Sequence, residues 1–296
     1  SIKFDSNEVV LSNGINAIIG DNGTDLLILI NSKNIVKSQE LVVTFFNSQE
    51  TKASLKSFDK YNKLAIITVP LTELQDTTRS AITYAELSNS AVSSKSGDLV
   101  IAIGDPYAFG SSIGYGIITS TGNEINGVDH NFSLITTDIY GSVDANGVLI
   151  NQKGKIIGII DQSYNSKEFA NQISAIGITE LKTAIENLCN ENTPAHMGLY
   201  ITNVTPFARQ YYSLPQGVYV TNILLDSPAM DKGIHKGDVI VAINDAVVSN
   251  VIEYEMEMGS YSHNDNVVVT IKGTRPDTVF NNTDQTFDTY VIESIT

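Results

Sequence analysis

Hydrophobic positions in the first 178 residues fall into short runs rich in Val, Ile and Leu, separated by turn residues such as Asp21, Asn22 and Gly23. The runs that predict strands are 26–30, 41–46, 64–69, 99–104, 116–120, 148–150 and 155–160. Apolar residues rarely recur at helical spacing in this region. Many short strands joined by Gly and Asn turns are typical of an all-β barrel or sandwich.

The pattern changes at Thr179, a residue type that often caps helices. It precedes a predicted helix over 180–188. The apolar face of this helix consists of Leu181, Ala184, Ile185 and Leu188. A polar stretch containing Pro194 follows and predicts a linker over 190–195. The sequence therefore divides into a first domain over 1–189 and a second over 196–296.

The second domain combines strands and helices. Its apolar runs predict strands at 199–204, 218–224, 239–243 and 267–271. One helix is predicted after Ser227, Pro228 and Ala229, and another over about 249–258. About a hundred residues with this content are typical of one small α+β domain.

Composition narrows the classes of function. The formal net charge of −15 argues against nucleic acid or anionic lipid as a partner. The one cysteine, Cys189, excludes an internal disulfide framework and a Cys-based zinc site, and we expect neither a metal nor a cofactor. No apolar run is long enough to span a membrane. Because the chain begins at Ser1, a removed upstream signal or anchor stays an open alternative.

Several stretches of the first domain resemble the HtrA family of trypsin-like serine proteases. Residues 101–107, Gly110 and 116–120 are similar to the family's AIGNPFG…GIVS segment. Residues 149–159 are similar to its LVNLDGEVIGI strand pair, and 173–178 to its FAIPI segment. The resemblance implies a trypsin-like double six-stranded β-barrel.

The second domain resembles the PDZ domain of the same family. Residues 214–220 match the family's LPQGVYV, and 227–244 carry its SPA…GI..GD.I..IN pattern. The resemblance therefore implies a mainly β fold, in which the double barrel is followed by an α+β PDZ domain.

The resemblance also locates the positions at which the family carries its catalytic triad. In that triad a serine hydroxyl attacks the peptide carbonyl, a histidine takes its proton, and an aspartate orients the histidine. Here Lys33 stands at the histidine position, Lys63 at the aspartate and Ala145 at the serine. A methyl group cannot attack a carbonyl, and two ammonium groups in one site repel each other.

Val143 and Asn146 replace glycines that shape the family's oxyanion hole. Losing one oxyanion donor costs about a hundredfold or more in rate. Together with the triad positions, these replacements predict a non-hydrolytic homologue rather than an enzyme. The alternative is a weak or unconventional serine endopeptidase, in which Ser142 forms a dyad with Lys33 or Lys63.

A PDZ domain binds an extended peptide as an added strand, and backbone N–H groups of a short loop receive its terminal carboxylate. The resemblance places this loop after His196, and a glycine there lets the backbone approach the carboxylate closely. The predicted peptide-binding residues are Met197, Gly198, Leu199, Tyr200, Ile201 and Met256. The alternative is that the apolar side chains among them belong to the domain's core.

Two classes of function follow. In the first, the protein is a binding module that captures peptides or protein C-termini, with a scaffold, quality-control or regulatory role outside the cytoplasm. Homo- or hetero-oligomers with HtrA-like proteases are a further expectation, as is membrane attachment through an N-terminal segment absent from this chain. In the second class, it is an unconventional peptidase. A structural envelope protein with a vestigial groove is a lesser alternative.

Overall fold

The structure, a computed structural model, describes residues 2–3, 10–12, 16–32, 41–273 and 288–295. The chain forms two compact units. The N-terminal unit comprises Ser1–Ile125 and Ser133–Asn192, and the C-terminal unit comprises Asn126–Phe132 and Thr193–Thr296. The division between the units falls between Asn192 and Thr193, and the turn Asn126–Phe132 clusters with the C-terminal unit.

The first half of the N-terminal unit is a seven-stranded antiparallel sheet in the order β2-β1-β5-β6-β7-β4-β3. Its strands are β1 (Ile2–Lys3), β2 (Val10–Ser12), β3 (Asn16–Asp21), β4 (Asp25–Asn31), β5 (Leu41–Thr44), β6 (Glu50–Asp59) and β7 (Leu64–Pro70). Central strand β4 is buried on both faces over residues 26–30, which explains its continuous apolar run. With β1 and β2 beyond β5, the sheet has seven strands, one more than the predicted six.

The second half of the unit is a closed six-stranded barrel in the order β10-β13-β12-β11-β8-β9. Its strands are β8 (Leu99–Asp105), β9 (Ser112–Asn126), β10 (Asn131–Tyr140), β11 (Asn146–Asn151), β12 (Ile156–Ile160) and β13 (Gln172–Gly177). Val100, Ala102, Leu149, Ile157 and Ala175 pack together inside it. Alternate residues of its strands therefore fill the barrel, as small barrels require.

Three α-helices accompany these sheets in the described residues: α1 (Asp76–Ala81), α2 (Ser90–Ser93) and α3 (Ile178–Cys189). Helix α3 corresponds to the helix predicted over 180–188, but its N-cap is Gly177 and not Thr179. Thr179 lies in the first turn, where its backbone N–H donates to Ser90 Oγ at 3.1 Å. A side chain distant in sequence thus satisfies an amide that a local cap would otherwise serve.

The C-terminal unit contains an antiparallel sheet in the order β14-β15-β16-β18-β19, with β17 paired to β16. Its elements are β14 (Leu199–Asn203), α4 (Pro206–Tyr212), β15 (Val218–Ile223), α5 (Pro228–Asp231), β16 (Val239–Ile243), β17 (Ala246–Val247), α6 (Val251–Met258), β18 (Val267–Gly273) and β19 (Asp288–Ile295). Strand β14 lies at the edge of this sheet. None of the helices in the described residues is long and apolar enough to cross a membrane.

Candidate functional site

Lys63, which was predicted at the triad's aspartate position, is paired with a carboxylate. Its ammonium donates to Asp161 Oδ2 at 2.8 Å and to Ser163 Oγ at 2.8 Å. Lys33, the other predicted lysine, lies outside the described residues. Ser32, the residue before it, donates its backbone N–H to Lys63 O at 2.8 Å. The ammonium of Lys63, which was predicted to repel that of Lys33, is therefore paired with an anion.

Asp161 is held in place by the turn that follows β12. Its Oδ1 accepts from Ser163 N at 2.9 Å and caps the 3₁₀ turn Gln162–Tyr164. The Lys63–Ser163 contact places a serine beside a lysine that is also paired with a carboxylate.

We expect Asp161→Asn to lower the free energy of unfolding of the N-terminal unit by about 1 kcal/mol, because the half-buried Lys63 loses its counter-charge while the cap acceptor is kept. Urea unfolding followed by tyrosine fluorescence measures this. Glu86→Gln is the matched control, since it breaks the more exposed Lys155–Glu86 pair and should leave the midpoint unchanged. A midpoint for Asp161→Asn equal to that of the wild type would show that the pair does not stabilise the fold.

The loop between β10 and β11 contains Ser142 and Ala145. Ala145 is 7% exposed, and its methyl group packs with the barrel core. Ser142 is half-buried. Its Oγ accepts from Asp144 N at 3.1 Å, and its carbonyl accepts from Gln162 Nε2 at 3.1 Å. Lys63 is hydrogen-bonded to Asp161 and Ser163, whereas the Ser142 hydroxyl is hydrogen-bonded to Asp144 N.

The first two amides of this loop have backbone acceptors. The N–H of Gly141 donates to Asn171 O at 2.7 Å, and that of Ser142 donates to Pro106 O at 2.9 Å. An oxyanion bound to these two amides would have to displace Asn171 O or Pro106 O, because an oxyanion hole works through N–H groups directed at the developing charge. Val143, which was predicted to replace a family glycine, is 52% exposed.

A second site lies in the C-terminal unit, where three consecutive amides converge on one carboxylate. The N–H groups of Met197 and Gly198 donate to Asp129 Oδ2 at 2.8 Å. The N–H of Leu199 donates to Asp129 Oδ1 at 3.1 Å. Gly198 has a φ of +83°, a left-handed conformation that favours glycine. The backbone of the predicted carboxylate loop therefore receives a carboxylate.

Tyr254 of α6 completes this second site. Its side chain is fully buried, and its hydroxyl donates to Asp129 Oδ1 at 2.9 Å. Burial, together with the charge of Asp129, raises the pKa of Tyr254 well above its usual range. The phenol therefore keeps its proton and acts as a donor at neutral pH. Neither Asp129 nor Tyr254 was among the predicted site residues.

The predicted peptide-binding residues contribute to this second site mainly through their backbone. The side chains of Met197, Leu199 and Ile201 are fully buried in the core of the C-terminal unit. Tyr200 is partly buried, while Met256 on α6 is 72% exposed. In the described part of the chain, no group of three or more His, Cys, Asp or Glu side chains could hold a metal ion.

Two domain models match the chain: a trypsin-like peptidase domain over residues 13–159 and a PDZ domain over residues 191–291. The Serine protease Do-like HtrA of Lactococcus lactis subsp. lactis is 26% identical over 282 residues, covering 88% of this chain and 67% of the relative. The Serine endoprotease DegS of Haemophilus influenzae is 27% identical over 254 residues, covering 83% and 70%. A probable periplasmic serine endoprotease, DegP-like, of Pseudomonas savastanoi pv. phaseolicola is 28% identical over 248 residues, covering 82% and 49%.

Solved structures share the fold. The HtrA-type protease AlgW with decapeptide gives a TM-score of 0.59 at 20% identity, covering 94% of this chain and 81% of that chain. A serine endoprotease from Yersinia pestis gives a TM-score of 0.60 at 19% identity, covering 99% and 91%. The predicted fold class, a mainly β trypsin-like domain followed by a PDZ domain, is confirmed.

The names of the relatives contradict the prediction that the chain is not an enzyme, because these proteins are called serine proteases or endoproteases. That prediction rested on the residue types at three triad positions, Lys33, Lys63 and Ala145. Residue types at fixed positions do not reveal which other groups the fold brings together. The contact of Lys63 with Asp161 and Ser163 is an example.

Proposed function

Because the chain belongs to the HtrA-type family of trypsin-like peptidases with a PDZ domain, we propose that it is a serine endopeptidase whose PDZ domain binds the C-terminal carboxylate of extended peptides. The observation that carries the binding half is the convergence of the amides of Met197, Gly198 and Leu199 on a single carboxylate. Hydrogen bonds to a charged acceptor are about twice as strong as neutral ones, so this loop selects an anion.

The position of the loop supports a peptide ligand rather than a free anion. The loop leads directly into β14, the edge strand of the sheet. An edge strand offers unpaired backbone groups to an added strand, and a carboxylate loop at its start fixes where the peptide ends. One structural neighbour is described as an HtrA-type protease with decapeptide, and this description supports a peptide ligand for the chain proposed here.

The binding half is tested with a fluorescein-labelled decapeptide that ends in Val with a free carboxylate, and with the same peptide as a C-terminal amide. We expect the full chain to bind the free acid about tenfold or more tightly, because the amide forgoes the charge-assisted hydrogen bonds. Fluorescence polarisation measures both affinities. Equal affinities for acid and amide would contradict the proposal.

The peptidase half has Ser142 as its candidate nucleophile and Lys33 as the lysine that would take its proton. Two observations support this assignment: the relatives are named serine proteases, and Lys63 is engaged by Asp161. Cleavage of unfolded casein, and labelling by a fluorophosphonate that reacts with activated serines, test this half. A full chain that neither cleaves nor is labelled would contradict it.

The names of the DegP-like relatives include the word periplasmic, and we place the proposed activity outside the cytoplasm on this support. Its substrates would be unfolded proteins or proteins with exposed C-termini. Association with further copies, or with other HtrA-type proteases, belongs to the same proposal, and sedimentation analysis of the full chain checks it.

A further inference from the structure

The carboxylate loop is occupied by the chain itself. Asp129 lies in the turn Asn126–Phe132, which belongs to the same compact unit as the loop. Its side chain is 10% exposed and accepts the hydrogen bonds of three loop amides at 2.8–3.1 Å. The loop therefore already holds the chemical group that a peptide C-terminus would bring.

The backbone of this turn also lies where a peptide would lie. Val128 forms an antiparallel bridge with Tyr200 of the edge strand β14. The N–H of Asp129 donates to Leu199 O at 2.7 Å. These are the contacts of a short added strand, and an added strand is how a PDZ domain takes its peptide. Residues 128 and 129 thus cover the edge that peptide binding requires.

Helix α6 contacts the turn from the other side. Tyr254 donates to Asp129 Oδ1 at 2.9 Å, and Glu255 Oε1 accepts from Asn131 N at 2.8 Å. The turn is therefore held between β14 and α6, by backbone contacts to the strand and side-chain contacts to the helix. An extended ligand could not enter this groove while the turn remains in place.

The turn is built to present one carboxylate. Asp129 has a φ of 63°, in the left-handed region that Asp tolerates better than most residues. Gly127 N donates to His130 O at 2.8 Å. A Cβ on Gly127 would lie 2.6 Å from Phe132 Cε2, so glycine is needed where the turn closes. The compact turn directs the Asp129 side chain to the loop amides.

We infer that Asp129 is an internal ligand of the carboxylate loop, so that the turn Asn126–Phe132 competes with peptide C-termini for the amides of residues 197–199. This inference rests on the proposed function, because competition requires a loop that binds peptides. A ligand on the same chain acts at a high effective concentration. An incoming peptide therefore binds only the fraction of molecules in which the turn has left the groove.

Peptide binding is then coupled to movement of a defined segment. The turn connects β9 to β10 along the chain, so its release changes the link between two strands of the closed barrel. This arrangement favours peptides whose carboxylate and strand contacts bind the groove more strongly than the contacts of Asp129 and Val128 do. Weak or amidated termini would leave the turn in place.

The first test compares the full-length wild type with Asp129→Gly and Asp129→Asn in binding the Val-ending free-acid decapeptide. Asp129→Gly removes the internal carboxylate and accepts the positive φ, while Asp129→Asn keeps the shape and removes the charge. We expect the affinity to rise about tenfold or more in Asp129→Gly and by less in Asp129→Asn.

Asp226→Gly is the matched control. Asp226 is an exposed residue of the C-terminal unit with a φ of 56°, so its replacement makes the same change in net charge and in backbone freedom. We expect its affinity for the decapeptide to equal that of the wild type. The inference is overturned if Asp129→Gly binds no more tightly than the wild type, or if Asp226→Gly gains as much.

A second measurement, made without peptide, separates the two proposals. Amide hydrogen exchange at residues 197–199 should be slow in the wild type and faster in Asp129→Gly, because the acceptor is lost. Fast exchange in the wild type, with carboxylate-dependent peptide binding intact, would overturn the internal ligand and leave the proposed function standing. The opposite result is also informative. If exchange is slow in the wild type and faster in Asp129→Gly, but neither protein binds the peptide, the proposed function is overturned and the competition with it.

Discussion

Replacing Ser142 with Ala is expected to abolish fluorophosphonate labelling and to lower the rate of casein cleavage by about three orders of magnitude or more. Removal of a nucleophile leaves only the catalysis that binding and orientation provide. The backbone contacts of Ser142 with Pro106, Ala145 and Gln162 do not involve its hydroxyl. The variant loses only the acceptor for Asp144 N, so it should fold and bind peptide as the wild type does.

Two variants serve as controls for this result. Ser163→Ala removes the serine that contacts Lys63, and Ala145→Gly changes the residue that was predicted at the family's serine position. Labelling and cleavage should persist in both if Ser142 is the nucleophile. Labelling that survives Ser142→Ala and disappears in Ser163→Ala would transfer the role to Ser163 and contradict the assignment.

The role of Lys33 is measured in the same assay. Lys33→Ala should reduce cleavage together with labelling, because a serine hydroxyl needs a base to become a nucleophile. Lys63→Ala should act mainly on stability, since Lys63 is held by Asp161. Reduced labelling in Lys63→Ala at unchanged stability would instead assign the base to Lys63.

The sequence predicted strands and helices well where a continuous run of apolar residues is buried. Strand β4 lies within one residue of the predicted run 26–30, because both of its faces are buried. Strand β6 was not predicted: residues 50–59 are mostly polar, and the strand exists because it pairs with β5 and β7. Helix α4 was also missed, although Thr205 caps it and Pro206 begins it, signals that the sequence carries.

The candidate sites are formed by contacts between residues that are far apart in the sequence, which local sequence patterns do not predict. The backbone carboxylate loop could be placed from its resemblance to a family, since a glycine in a short motif marks it. Its occupant could not, because Asp129 and Met197 are separated by 68 positions. The same holds for Lys63 and Asp161, which are separated by 98 positions. The local sequence around a turn aspartate does not indicate whether its side chain faces solvent or accepts hydrogen bonds from backbone amides.

Replacing Gly198 with Ala is expected to lower the free energy of unfolding of the C-terminal unit by about 3 kcal/mol and to abolish binding of the free-acid peptide. A Cβ at this position would lie 2.3 Å from Ser227 Cβ, and Ser227 is 1% exposed, so it has little room to move. The φ of +83° adds strain for any residue with a Cβ. Native-state hydrogen exchange of amides in β15 and β16 measures the stability of this unit separately from the barrel.

The matched control for this prediction is Gly233→Ala. Gly233 lies in the same unit with a φ of +78°, but nothing stands within 4 Å of its added Cβ. The free energy of unfolding of Gly233→Ala should therefore fall only by the cost of the left-handed conformation, about 1 kcal/mol. The difference between the two variants isolates the close approach of the loop to Ser227, which positions the amides that receive the carboxylate. Equal losses would show that Gly198 serves the backbone conformation alone, and peptide binding would then survive its replacement at temperatures where the unit stays folded.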